Sequence, residues 1–99
     1  MNVVMVRSKV KAECVAELEA AARTMFSEIE AAGPQGVRYA ACRLADGMTF
    51  VAVLELEDGV DNPLANLATF RHFQENLKNW LAEPPSLEQL TVIGSYRLL

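Results

Sequence analysis

The chain has 99 residues, with nine Lys and Arg against thirteen Asp and Glu and a formal net charge of −4. That balance argues against a nucleic-acid binder, which needs cations to displace counterions from phosphates, and against a polybasic membrane-surface protein. The length suits one domain over 1–99, and a hydrophobic content of 52% is more than a small core readily absorbs, so a homo-oligomer is expected.

Residues Val3 to Lys11 alternate, which predicts a strand. Val4, Val6, Ser8 and Val10 share one face; Val3, Met5, Arg7 and Lys9 share the other. Val15, Leu18, Ala22, Met25, Phe26 and Ile29 then recur at spacings of three and four, the apolar stripe of a helix. Gly33-Pro34 closes that helix as a C-cap glycine followed by a breaker. Val37 to Leu44 and Met48 to Glu57 read as two strands joined by Ala45-Asp46-Gly47, because Asp-Gly between alternating runs is a hairpin signal. Asp58 to Pro63 reads as a loop, with Pro63 placed to open a helical turn. Leu67, Phe70, Phe73, Leu77, Trp80 and Leu81 form a second helical stripe, which Pro84-Pro85 would stop. Leu90 to Leu99 alternates again and is expected to be the last strand.

The order βαββαβ predicts an α+β, ferredoxin-like domain: a four-stranded antiparallel sheet with two helices on one face. Val3, Met5, Arg7, Val37, Tyr39, Arg43 and the strand-three set Val51, Val53, Glu55 are assigned to the uncovered face, with Ile93 from the last strand. That face is too apolar for water, and a second copy of the sheet is its economical cover. Between two such sheets, Met5, Tyr39, Val51, Val53 and Ile93 would line an apolar space, with Arg7, Arg43 and Glu55 nearer its rim. An apolar space with a few polar groups is the usual form of a small-molecule site, and a filled dimer core is the alternative.

Other chemistry is thinly represented. His72, the lone histidine, groups with Glu75, Asn76 and Asn79 on the polar side of its helix and is read as a surface residue. Trp80 is read as packing. Cys14 and Cys42 have no metal-ligand or redox spacing and are expected to be reduced thiols. No phosphate loop or catalytic triad spacing occurs, so no metal, flavin or haem is expected. The start lacks the basic and apolar segments of a secretory signal, and no run approaches the length of a bilayer span. A cytoplasmic protein, contacting neither membrane nor nucleic acid, is the expectation.

The whole chain resembles the dimeric α+β barrel superfamily, and within it the antibiotic-biosynthesis-monooxygenase-like (ABM-like) proteins. The resemblance lies in Val3 to Lys11, in Val51-Ala52-Val53-Leu54-Glu55, and in Thr69-Phe70-Arg71-His72-Phe73-Gln74 running through Leu77 and Leu81 to Pro84-Pro85. It implies paired sheets forming a barrel, and a homodimer. For some members it also implies oxidation of polycyclic aromatic substrates without metal or flavin. ABM-like proteins often carry a Trp near the end of the third strand and a His before the second helix. Here those regions read Glu55-Leu56-Glu57-Asp58 and Asn62-Pro63-Leu64-Ala65, so haem degradation is not expected. Three classes stay open: a cofactor-independent monooxygenase, a non-catalytic ligand-binding or regulatory dimer, and a purely structural dimer.

Overall fold

The computed structural model describes residues 2–98; Met1 and Leu99, at the ends of the sequence reading, lie outside the described residues. The elements are β1 (Asn2–Lys9), a 3-10 turn (Ala12–Cys14), α1 (Val15–Ala32), β2 (Val37–Arg43), β3 (Thr49–Leu56), a 3-10 turn (Pro63–Asn66), α2 (Ala68–Trp80) and β4 (Ser86–Leu90). They build one sheet in the order β2-β3-β1-β4, with every neighbouring pair antiparallel. This is the ferredoxin-like α+β arrangement.

Local chemistry explains the boundaries. Gly33 ends α1 in the left-handed conformation (φ 56°), and its N–H donates to the Ile29 carbonyl. Asn62 caps the second 3-10 turn by accepting the Leu64 N–H at 3.0 Å, with Pro63 in the first position. Helix α2 ends at Trp80, earlier than Pro84-Pro85 demands. Leu81 is drawn off into a bridge with Val10, while Lys11 N–H donates to the Trp80 carbonyl. The core forms where the two helices meet that exit from β1. Val10, Leu18, Met25, Phe73 and Trp80 are buried there, and the Phe73 and Trp80 rings meet edge-on at 5.7 Å. Leu18 and Met25, like Phe73 and Trp80, are seven residues apart, two helical turns on one stripe.

Two expectations are corrected. The last strand is Ser86–Leu90, not Leu90–Leu99, and residues 91–98 carry no regular structure. Ser86 pairs with Arg7 and Leu90 with Val3, and the ladder between β1 and β4 ends at that last pair. Alternation beyond that point has no ladder to join. The second correction is the facing of β2. The connection holds one residue more than Ala45-Asp46-Gly47, because Met48 lies in it: Leu44 N–H donates to the Thr49 carbonyl at 2.8 Å and Arg43 pairs with Phe50. Asp46 enforces this by accepting from the N–H groups of Met48 (2.9 Å) and Thr49 (2.8 Å) and from the Thr49 hydroxyl (2.6 Å). A one-residue register change turns every side chain over. Val37, Tyr39, Ala41 and Arg43 therefore face the helices, and Arg38, Ala40 and Cys42 face away beside Glu55, Val53 and Val51.

Candidate functional site

A cavity of about 590 Å³ lies between the helices and the sheet, and its floor follows from the register. Three cross-strand rows face the helices: Tyr39–Leu54–Val4, then Ala41–Ala52–Val6–Leu87, then Arg43–Phe50–Ser8. The middle row is made of small side chains on β2 and β3, while the rows beside it carry bulky ones. The void stands over the small row. With strands about 4.8 Å apart and a rise of about 3.3 Å per residue, the bed measures roughly 14 by 13 Å. Those are the dimensions of a planar molecule of two or three fused rings.

The roof is aromatic and aliphatic. Phe26 of α1 stacks on Tyr39 of β2 at 5.0 Å, and Phe70 of α2 meets Tyr39 edge-on at 6.0 Å. Phe73 and Leu77 of α2 and Leu18 and Ala22 of α1 complete it. These are the stripe positions of both helices, so the same periodicity that builds the core also lines the void. Tyr39 is the principal titratable group inside, and burial raises its pKa above the ordinary value of 10.0. Its hydroxyl stays protonated at neutral pH. Charge appears only at the edge, where Arg43 Nη1 donates to Glu19 Oε1 at 2.6 Å and Arg23 also lines the opening. Glu19–Arg43 and Phe26–Tyr39 thus bridge α1 and β2 at two points about 10 Å apart along the helix. Between those bridges stand Ala22 and Ala41, too small to close the seam.

Of the residues singled out from sequence, Tyr39 and Arg43 enter this cavity from the helix-facing rows, and Val51 borders it although its side chain belongs to the opposite face of the sheet. Met5, Val53 and Glu55 share the opposite face of the sheet, where Met5 pairs with Val53, and Arg7 is exposed on that side. Ile93 is fully exposed in the segment after β4. The sequence reading missed Ser8, Ala41, Ala52 and Phe26; the available signal was a pair of alanines in the middle of two strands whose other helix-facing positions are large. His72 is exposed on α2 and does not reach the cavity, and Trp80 is buried in the core. Cys14 and Cys42 are unbridged. Among the described residues no group of His, Cys, Asp or Glu is clustered to hold a metal ion, and no helix is long and apolar enough to cross a membrane.

No family model matches the chain, and no curated protein matches it. Solved structures do. A candidate antibiotic biosynthesis monooxygenase from Nitrosomonas europaea is 20% identical, with TM-score 0.75 over 95% of this chain and 100% of its own. Rv0793 from Mycobacterium tuberculosis is 18% identical, with TM-score 0.75 over 95% of this chain and 96% of its own. A further structure, described as an antibiotic biosynthesis monooxygenase, is 12% identical, with TM-score 0.74 over 95% and 100%. At such identities the likeness concerns architecture: this chain shares the ferredoxin-like α+β fold of those structures.

Proposed function

We propose that the protein binds a planar aromatic or quinone-like small molecule between its helices and its sheet, and oxidises it as a cofactor-independent monooxygenase. The observation that carries this reading is the open, mainly apolar cavity over the Ala41–Ala52 row. A purely structural protein gains stability by filling such a space. The fold shared with proteins named monooxygenases supports the reaction class. The chemistry asked of the residues is small. A substrate such as an anthrone supplies the electrons itself: its CH₂ becomes C=O, one O₂ is consumed, and the second oxygen atom leaves as water. The apolar walls shield a bound ring system from water, and Tyr39, kept protonated by burial, is the donor available to an enolate oxygen.

The working unit of this reading is a homodimer, in a reducing cytoplasm that suits the two unbridged thiols. Met5, Val51 and Val53 form an apolar strip on the sheet face away from the helices. Beside it Glu55 is only 6% exposed and Val3 1%, so that end of the face is already covered within the chain. Ile93, Tyr96 and Leu98 add exposed apolar surface after β4.

The test uses chelator-treated protein and anthrone, with tryptophan fluorescence for binding, an oxygen electrode for turnover, and sedimentation for mass. Saturable binding with one O₂ consumed per ketone formed, at twice the chain mass, is the expected result. Binding without oxygen uptake would replace the enzyme by a ligand-binding dimer, and absence of binding would overturn the cavity reading.

A further inference from the structure

We infer that Arg43 determines specificity for a ligand bearing an ionised acid group, with Glu19 as its resident competitor; this rests on the cavity reading above. Among the described residues the only charged side chains lining the cavity are Glu19, Arg23 and Arg43, and all three stand at the α1/β2 seam. Two guanidiniums against one carboxylate leave that opening locally positive in a chain of net charge −4. An anion is therefore drawn to this edge of the molecule and to no other part of the cavity wall.

The position follows from the fold. Arg43 is the last residue of β2, in the cross-strand row next to the Ala41–Ala52 bed. Four residues back on the same strand, Tyr39 closes the other side of the alanine row against Phe26. A flat ring system lying over the alanines with its rings toward Phe26 and Tyr39 puts a substituent at its far end beside Arg43. Glu19 and Arg23 are one helical turn apart, so both face that substituent from α1.

The ion pair now present is built to exchange. Arg43 is 49% exposed and Glu19 24%, and a solvent-screened pair holds little net energy. Of the three guanidinium nitrogens, which carry five N–H donors, only Nη1 makes the bond to Glu19. An incoming carboxylate or sulfonate offers the same charge and brings the burial of its rings with it. Without ligand, Glu19 keeps the guanidinium over the seam.

The experiment compares two fluorescent probes of one shape, 1-anilinonaphthalene-8-sulfonate and its neutral analogue N-phenyl-1-naphthylamine. The wild-type protein should bind the sulfonate about tenfold more tightly, as a charge-assisted contact provides, and the preference should shrink with added salt. Arg43→Gln should bring the ratio of the two affinities to about one, and Arg43→Lys should restore part of it, since a point charge replaces the fork. Glu19→Gln should move the ratio the opposite way, because the competitor is gone. Circular dichroism on each variant verifies the fold. Equal binding of both probes to the wild type, or an unchanged ratio in Arg43→Gln, would overturn the inference while leaving the cavity reading standing. Failure of both probes to bind would sink both together.

Discussion

The contact between the helices and the sheet is solid at one end and hollow in the middle, although the same elements run through both. At the solid end Val10 and Met25 are 1% exposed, and Trp80 is 5% exposed with its ring against Phe73. In the middle the sheet offers Ala41, Ala52 and Val6 beneath Phe26, Phe70 and Leu77 of the helices, with Ala22 the one small helix residue at the seam. Side-chain volume on the sheet, not helix placement, decides which part is core and which is cavity. A protein interior of ordinary density would have closed over this row with larger residues.

That contrast can be broken from either side. Trp80→Ala removes a ring from the packed end and should cost about 3–5 kcal/mol of unfolding free energy in a denaturant titration. Ala52→Phe adds a ring to the hollow. There it meets space in place of neighbours, so the usual cost of overpacking, about 1–3 kcal/mol, should be absent, while binding of anthrone is lost. Equal destabilisation by both substitutions would mean that the middle row is as tightly packed as the end.

The hollow also depends on the connection that sets the facing of β2. Asp46 holds it, and hydrogen bonds from the Thr49 hydroxyl and from the Thr49 and Met48 N–H groups lower the Asp46 pKa from 3.8 to about 2. A depressed carboxylate pKa stabilises the fold above the unfolded-state value and loses that stabilisation as pH falls through the folded-state value. Stability measured by denaturant titration should therefore decline between about pH 4 and pH 2, and Asp46→Asn should flatten that part of the curve. An identical slope in the variant would place the acid sensitivity elsewhere.

The element order, the capping of α1 at Gly33, and the sidedness of β1 and β3 are all legible in the sequence. Each rests on periodicity or on a local hydrogen-bonding habit of one residue type. The facing of β2 is not legible in this way. It turns on whether Met48 belongs to the connection or to the ladder, and Met48 suits either; the deciding contacts are the bonds to the Asp46 carboxylate. One residue of register carries Tyr39 and Arg43 from the open face to the cavity, so the candidate site moves with them. The extent of β4 is hidden for another reason. Residues 91–98 alternate well enough, but pairing needs a partner strand, and the β1–β4 ladder ends at the Val3–Leu90 pair.

The smallest effect is predicted at His72, the residue most tempting to anyone searching for a catalytic base. It lies on α2 between Phe70 and Phe73, and its neighbours three, four and seven residues on, Glu75, Asn76 and Asn79, are exposed as it is. The face of α2 that meets the rest of the molecule is marked by Phe73 and Trp80, both buried. A side chain on the outer face of the roof has the helix itself between it and the cavity, and it is absent from the cavity wall. No hydrogen bond or ion pair joins it to another described residue, so nothing beyond local helix propensity is lost on truncation. His72→Ala should change unfolding free energy by no more than roughly 0.5 kcal/mol and leave anthrone binding and oxygen uptake within twofold of wild type. A hundredfold loss of turnover in a folded variant would locate the chemistry on the outside of α2, where neither the small-residue row nor Tyr39 can take part.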